Sequence, residues 1–185
     1  MQTWQIVSIT AAVVAAAAII MWMLYLRNRS QHLRAHFGSE YDRIIAETGN
    51  RRRAELELEQ REARVRKLEI HQLSLSDRDR FTEKWKLCQE TFVNDPVMAV
   101  TEADRLVGEI MRARGYQVET TEDRIADISA AYPEHTTSYR EALETVTRHR
   151  RGQATTEDLR KAFIHCRGLF NELLGSHEQE FRRAS

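Results

Sequence analysis

Residues 74–96, SLSDRDRFTEKWKLCQETFVNDP, carry one complete helix signal and decide the fold class. Ser74 with Asp77 three residues later is typical of a helix N-terminus, because each side chain can bond the other's backbone N–H. The apolar side chains that recur after it at intervals of three or four residues are Phe81, Trp85, Cys88 and Phe92. This spacing places them on one face of a helix and predicts that the face is buried.

The chain that follows repeats this kind of signal. Asp95 and Pro96 are typical of a cap and a first helical turn. With only two prolines and seven glycines against 30% charged residues, the composition favours helices over a turn-rich β fold. The sequence therefore predicts an all-α protein with a soluble bundle of about five helices in residues 72–175, followed by a polar tail at 176–185.

Upstream of the bundle, residues 27–71 are predicted to form a charged, helical juxtamembrane linker. Between Asn50 and Ile70, acidic and basic side chains alternate and several pairs fall four residues apart, which supports a solvated helix. The apolar positions with heptad-like spacing are Ala54, Leu58, Val65 and Leu68. They indicate either a coiled coil that self-associates, or a stalk, or a helix packed on its own domain.

The first part of this linker has its own apolar face. Side chains that recur every four residues are Leu33, Phe37, Tyr41 and Ile45. Gly38 is expected to bend or interrupt the helix, and Gly49 is expected to end it.

Residues 1–26 contain no charged side chain and predict a transmembrane anchor. The apolar run at 6–26 is long enough, at about 1.5 Å per residue, to cross a hydrocarbon core of about 30 Å and contact membrane lipid. Trp4 at one end, and Trp22 and Tyr25 at the other, are expected at the membrane interface. A signal peptide fits less well, because the segment has no basic n-region.

Basic residues near the span predict its orientation. Arg27, Arg29 and Arg34 follow the apolar run and none precedes it, so they are expected at the cytoplasmic interface with the C-terminal domain inside the cell. Cys88 and Cys166 lie in apolar helical patterns, as small buried hydrophobes do in a reducing compartment.

No motif for catalysis or cofactor binding is found, so the sequence predicts neither an enzyme nor a cofactor. His32 and His36 have helical ligand spacing but no further ligand nearby, which argues against a metal site. His165 and Cys166 are adjacent in sequence, so on a helix their side chains diverge. With 28 basic and 28 acidic residues the chain is formally neutral, and nucleic acid is not an expected partner.

Several segments together resemble an uncharacterised family of bacterial membrane-anchored helical proteins, known as hypothetical or secreted proteins. The segments that carry the resemblance are FGSEYDR at 37–43, FVNDP at 92–96, EADRLV at 102–107 continuing to MRARGY at 111–116, TEDLR at 156–160 and HCRGLF at 165–170. The chain departs from the family pattern at Cys166, where the family usually has Tyr, and at Gln117, where it usually has Pro. The resemblance implies a single-pass protein of the bacterial inner membrane and brings no known activity.

These observations favour a membrane-anchored interaction or scaffold protein that binds another protein or itself. The alternative is a small-molecule sensor or enzyme with a pocket in the helical bundle, for which Trp85, Tyr116 and Tyr139 are the candidate lining residues.

Overall fold

The computed structural model describes the backbone of residues 2–183 and the side chains of residues 13–25 and 27–175. Eight α-helices and no β-strand occur in this part of the chain, which confirms the all-α class. The helices are α1 (Gln2–Phe37), α2 (Ser39–Thr48), α3 (Arg51–Arg66), α4 (Leu75–Asn94), α5 (Pro96–Ala113), α6 (Thr121–Ala131), α7 (Pro133–Arg150) and α8 (Thr156–Arg183).

The chain divides into two compact units, Met1–Glu55 and Leu56–Ser185. Their border lies inside α3, whereas the sequence placed the start of the bundle domain at residue 72. The last part of α3 belongs to the second unit because its side chains bond to that unit, as described below.

In the first unit, the expected break at Gly38 changes which side chains are buried. Of the four side chains with this spacing, Leu33, Phe37 and Tyr41 are buried, but the buried isoleucine of α2 is Ile44 and not Ile45. Gly38 has a positive φ of 53° and ends α1, so the spacing that continued through a single helix does not hold in α2.

A carboxylate joins the three helical segments of this unit. One Glu55 oxygen accepts hydrogen bonds from the hydroxyl of Ser30 at 2.5 Å, the hydroxyl of Tyr41 at 2.8 Å and Nε of Arg51 at 2.9 Å. Burial acts to raise the pKa of Glu55, but these three hydrogen bonds outweigh it and hold the pKa below its ordinary value.

The prediction of a transmembrane helix at residues 1–26 is wrong. Within the described residues, none of the helices combines the length and the apolar character that a membrane crossing requires. The side chains of residues 1–12 and of residue 26, which belong to the predicted span, lie outside the described residues. The same helix then continues past the charged side chains of Arg27 and Arg34 as far as Phe37.

The residues that the sequence assigned to a membrane interface all belong to α1. Trp22 and Tyr25 are exposed, with ring centroids 6.5 Å apart. The guanidinium of Arg34 lies 3.6 Å from a carboxylate oxygen of Asp42. Arg27 and Arg29 lie on the stretch of α1 between Tyr25 and Arg34, and the side chain of Trp4 is outside the described residues. The inner-membrane location and its orientation stay predictions.

The second unit contains α4 to α8 around one hydrophobic core. The caps predicted for its helices are confirmed: Ser74 accepts a hydrogen bond from the backbone N–H of Asp77 at 3.1 Å, and Asp95 accepts one from that of Met98 at 2.9 Å. Thr120 forms a complete capping box at the start of α6. At the other end α8 continues through Gly175 to Arg183, because a single glycine weakens a helix by only about 1 kcal/mol and need not end it.

The buried face of α4 is the one that the sequence predicts. Phe81, Trp85 and Cys88 are all buried. The Trp85 ring stacks between two rings of α8, with centroids 4.9 Å from Phe163 and 4.6 Å from Phe170. This aromatic stack fixes α4 against α8 and determines which side of α4 remains outside.

Candidate functional site: a groove between α4 and α5

The three side chains proposed to line a pocket all lie in the hydrophobic core, and each has different neighbours. Trp85 is in the aromatic stack. Tyr116 is hydrogen-bonded to Tyr132, and burial raises its pKa far above the ordinary value. Tyr139 is completely buried and donates its hydroxyl proton to Asp104. None of the three lines either of the grooves described below.

Asp104 is the centre of a buried polar cluster that sequence reasoning missed. Its two carboxylate oxygens each accept a hydrogen bond from Arg124 at 2.9 Å, in addition to the Tyr139 bond. Gly108 makes room for this arginine, because a Cβ atom there would lie 2.6 Å from a guanidinium nitrogen of Arg124. The cluster joins α5, α6 and α7 inside the bundle and is a packing feature.

Burial also decides the state of the two cysteines. It raises the pKa of Cys166 to about 12, and it raises the pKa of Cys88 as well, so both remain thiols at neutral pH. Cys166 is fully buried while the adjacent His165 is partly exposed, as expected for neighbours on a helix. Neither thiol has the character of an activated nucleophile.

The strongest candidate for a functional surface is a groove of about 370 Å³ between α4 and α5. Its floor contains the buried side chains of Cys88 and Leu106. Two apolar side chains stand at its sides and remain in water: Leu87 of α4 is 61% exposed and Met98 of α5 is 51% exposed. We call these four residues and the space between them the α4–α5 groove.

The groove exists because of the way each of the two helices is rotated about its own axis. The stack at Trp85 turns Cys88 inward and leaves Leu87, one residue earlier, on the outer side of α4. The Asp95 cap and Pro96 begin α5 directly after α4, so that Met98 lies in the first turn on the facing wall. The helical pattern of each segment therefore predicts which side chains of that helix face outward. The groove itself forms only because α4 and α5 pack side by side.

Charged side chains at the rim of the groove are already paired. Lys84 lies 2.6 Å from a carboxylate oxygen of Glu109, and Arg105 pairs with Glu109 and, at 2.7 Å, with Glu102. Burial acts to raise the pKa of Glu109, but Lys84 and Arg105 hold it below the ordinary value. The rim is thus a neutral ion-pair network around an apolar centre.

Within the described part of the chain, no group of three or more His, Cys, Asp or Glu side chains is placed to hold a metal ion. The α4–α5 groove offers apolar contact and paired charges. Its chemistry is that of a packing surface.

The residues proposed for self-association are buried within the chain itself. Ala54 in the first unit and Leu58 in the second are fully buried, and Val65 and Leu68 are half-buried against the core of the second unit. The sequence left three interpretations of α3 open. The one that describes the last part of α3 is a helix packed on its own domain. Self-association through these side chains would require that they leave this packing.

Arginines hold the end of α3 on the second unit. Arg61 donates to the hydroxyl of Ser129 at 3.2 Å. Arg64 donates to the backbone carbonyl of Gln117 at 2.8 Å and to a carboxylate oxygen of Asp123 at 3.1 Å. Its Nε atom lies 3.3 Å from Asp127.

The two aspartates that face Arg64 have pKa shifts of opposite sign. Burial raises the pKa of Asp127, whose side chain is completely buried and accepts no hydrogen bond among the described residues, although Arg64 opposes the shift. Hydrogen bonds from Thr120 and Arg64 lower the pKa of Asp123. Folding therefore disfavours the charged form of Asp127 and favours that of Asp123.

We predict that Asp127→Asn and Asp123→Asn change the stability of the protein in opposite directions at pH 7. A raised pKa contributes stability only at low pH, so Asp127→Asn is more stable than the parent at pH 7, and the gain shrinks as the pH falls through the raised pKa toward the ordinary value of 3.8. A lowered pKa contributes stability above its ordinary value, so Asp123→Asn is less stable at pH 7 and the loss disappears in acid.

Urea unfolding at a series of pH values measures both differences, and each variant is the matched control of the other. Asp123 and Asp127 lie one helical turn apart and face the same arginine, Arg64. Shifts of the same sign in both variants would contradict the assignment of a desolvated carboxylate to Asp127.

No protein-family model matches the chain, and neither a curated protein nor a solved structure shows significant similarity to it. The resemblance drawn from the sequence stays a prediction.

Proposed function

We propose that the chain is a non-catalytic helical interaction module whose α4–α5 groove binds an amphipathic helix of a partner protein. The observation that carries this proposal is the pair of exposed apolar side chains, Leu87 and Met98, on either side of a groove with an apolar floor. The lack of a catalytic motif in the sequence is consistent with a role in binding.

Apolar burial supplies the driving force. Covering a side chain of the size of leucine or methionine is worth about 1.5–3 kcal/mol, and the groove offers two such side chains together with the Leu106 floor. Association itself costs several kcal/mol, so the gain favours a partner that buries both walls at once.

The shape of the groove favours a helix as the occupant. On α4 its lining residues are Lys84, Leu87, Cys88 and Thr91, which span two helical turns, and on α5 they are Met98, Glu102, Arg105 and Leu106. A third helix laid along two parallel walls can insert apolar side chains at intervals of three and four residues. The paired rim charges then select a partner that carries both signs beside its apolar face.

A photo-crosslinking side chain introduced at position 87 of the full chain tests the proposal in cells. The matched control is the same side chain at Val93, which is on the same helix, is 82% exposed and does not line the groove. We expect a discrete protein adduct from position 87, none from position 93, and loss of the adduct when Met98→Asp is added.

Two results would overturn the proposal: equal adducts from both positions, or an adduct from position 87 that Met98→Asp leaves unchanged. If the purified chain alone forms the same adduct, the partner helix belongs to a second copy of this chain. Because Met98 is half exposed, Met98→Asp is not expected to unfold the bundle, and circular dichroism checks this.

A further inference from the structure

A second groove, of about 330 Å³, lies between α7 and α8 and has a different chemical character. Glu141, Glu144 and Arg148 line its α7 wall, and Asp158, Lys161 and His165 line its α8 wall. Each wall therefore presents side chains of both charge signs one helical turn apart.

The two glutamates of the α7 wall form no ion pair across the groove within the described part of the chain. Among the described residues, the carboxylates of Glu141 and Glu144 take part in no hydrogen bond or ion pair, although Lys161 lines the same groove. The spacing of the helices is set below the groove by buried side chains such as Ala142 and Ala162, so the walls cannot simply close. A molecule between the walls could pair with both.

Other polar groups in the groove are already occupied. Thr145 donates to the backbone carbonyl of Glu141 at 2.8 Å and accepts from Arg148 at 3.0 Å, which holds this arginine on the α7 wall. Asp158 accepts hydrogen bonds from the backbone and hydroxyl of Thr155 and caps α8. These bonds lower the pKa of Asp158, and Lys161 and Arg148 lie close enough for their charges to help lower it. The two cations are therefore partly compensated, whereas the carboxylates of Glu141 and Glu144 are left to meet a ligand.

We infer that the groove between α7 and α8 binds a small zwitterion of the amino-acid or dipeptide class, its ammonium group at Glu141 and Glu144 and its carboxylate at Lys161 and Arg148. A simple anion would meet the three carboxylates of Glu141, Glu144 and Asp158, and a simple cation would meet an ammonium and a guanidinium, so each would lose by repulsion what it gains. A molecule that carries both charges satisfies both pairs.

Two further features agree with such a ligand. The volume is at the lower end of the about 300–1,000 Å³ that is usual for ligand sites, which suits a small molecule. Nδ1 of His165 is shielded from solvent and has no hydrogen-bond partner among the described residues. An unpartnered imidazole nitrogen therefore lies on a residue that lines the groove.

Titration of the isotope-labelled full chain with glycylglycine, followed through backbone amide shifts, tests the inference. Two matched probes remove one charge each: N-acetylglycylglycine lacks the ammonium group and glycylglycinamide lacks the carboxylate. We expect saturable shifts at Thr145, Ala162 and His165 with glycylglycine, an affinity that falls as salt is added, and no saturation with either matched probe.

The double variant Glu141→Gln with Glu144→Gln should weaken glycylglycine binding about tenfold, since two exposed charge pairs are removed. Its control is Glu119→Gln with Glu122→Gln, an exposed pair with the same spacing outside the groove, which should leave binding unchanged. Equal binding of all three probes, or unsaturated shifts spread over the surface, would overturn the inference. Because α4 and α5 take no part in this groove, neither result depends on the proposed protein partner.

Discussion

Trp85→Ala is expected to lower the free energy of unfolding of the second unit by about 3–5 kcal/mol, the usual cost of truncating a large aromatic side chain in a core. The ring is buried and stacks at 4.9 Å on Phe163 and at 4.6 Å on Phe170. The variant loses the transfer energy of the ring, leaves a cavity between α4 and α8, and loses aromatic pair contacts. A domain of this size is stable by only about 5–15 kcal/mol, so this loss is a large share of the total.

Urea unfolding followed by far-ultraviolet circular dichroism measures this loss. Leu87→Ala is the control on the same helix, because its side chain is 61% exposed and its truncation should cost less than about 1 kcal/mol. A loss of similar size in both variants would contradict the assignment of Trp85 to the core.

Asp104→Ala is expected to cost about 3 kcal/mol, because it leaves two buried groups without their partner. Arg124, whose side chain is only 10% exposed, would keep a positive charge in the interior with no carboxylate to accept its hydrogen bonds. The hydroxyl of Tyr139 would lose its acceptor as well. Removing one member of a buried ion pair costs about 3–5 kcal/mol, and the partial exposure of Asp104 places this case at the lower end.

Unfolding free energies of three variants separate the contributions. Tyr139→Phe removes only the hydroxyl bond and should cost about 1–2 kcal/mol. Glu102→Ala lies on the same helix in an exposed pair with Arg105 and should cost less than about 1 kcal/mol. If Asp104→Ala were no more harmful than Glu102→Ala, the cluster would not hold the three helices together.

Several features of the fold could be predicted from the sequence because they depend on neighbours in the chain. The caps at Ser74 and Asp95 form between residues three apart, and both are present. The inward face of α4 follows from its own spacing. The same local reasoning grouped Ile45 rather than Ile44 with the apolar face of the first unit, because it carried one helical phase across the break at Gly38.

The candidate surfaces could not be predicted in the same way. Leu87 and Met98 belong to separate helices, and nothing in either segment indicates that they stand on facing walls. In the sequence, Glu144 and Lys161 are likewise typical of ordinary solvated side chains. They line a common groove only because α7 and α8 pack together. The membrane span was predicted from local sequence features as well, and the described helices do not support it.

By itself, the sequence determined the all-α class, the starts of α4 and α5 and the buried side of α4, since backbone hydrogen bonds and caps connect residues only three or four apart. Only the tertiary structure decided that Asp127 lies in the interior and that Asp104 forms a partly buried ion pair, while Glu141 and Glu144 line an open groove. The physical reason is that an aspartate or glutamate has the same local preferences in either place. Its burial is settled by whether a distant arginine, such as Arg124 or Arg64, is brought near enough to compensate its charge.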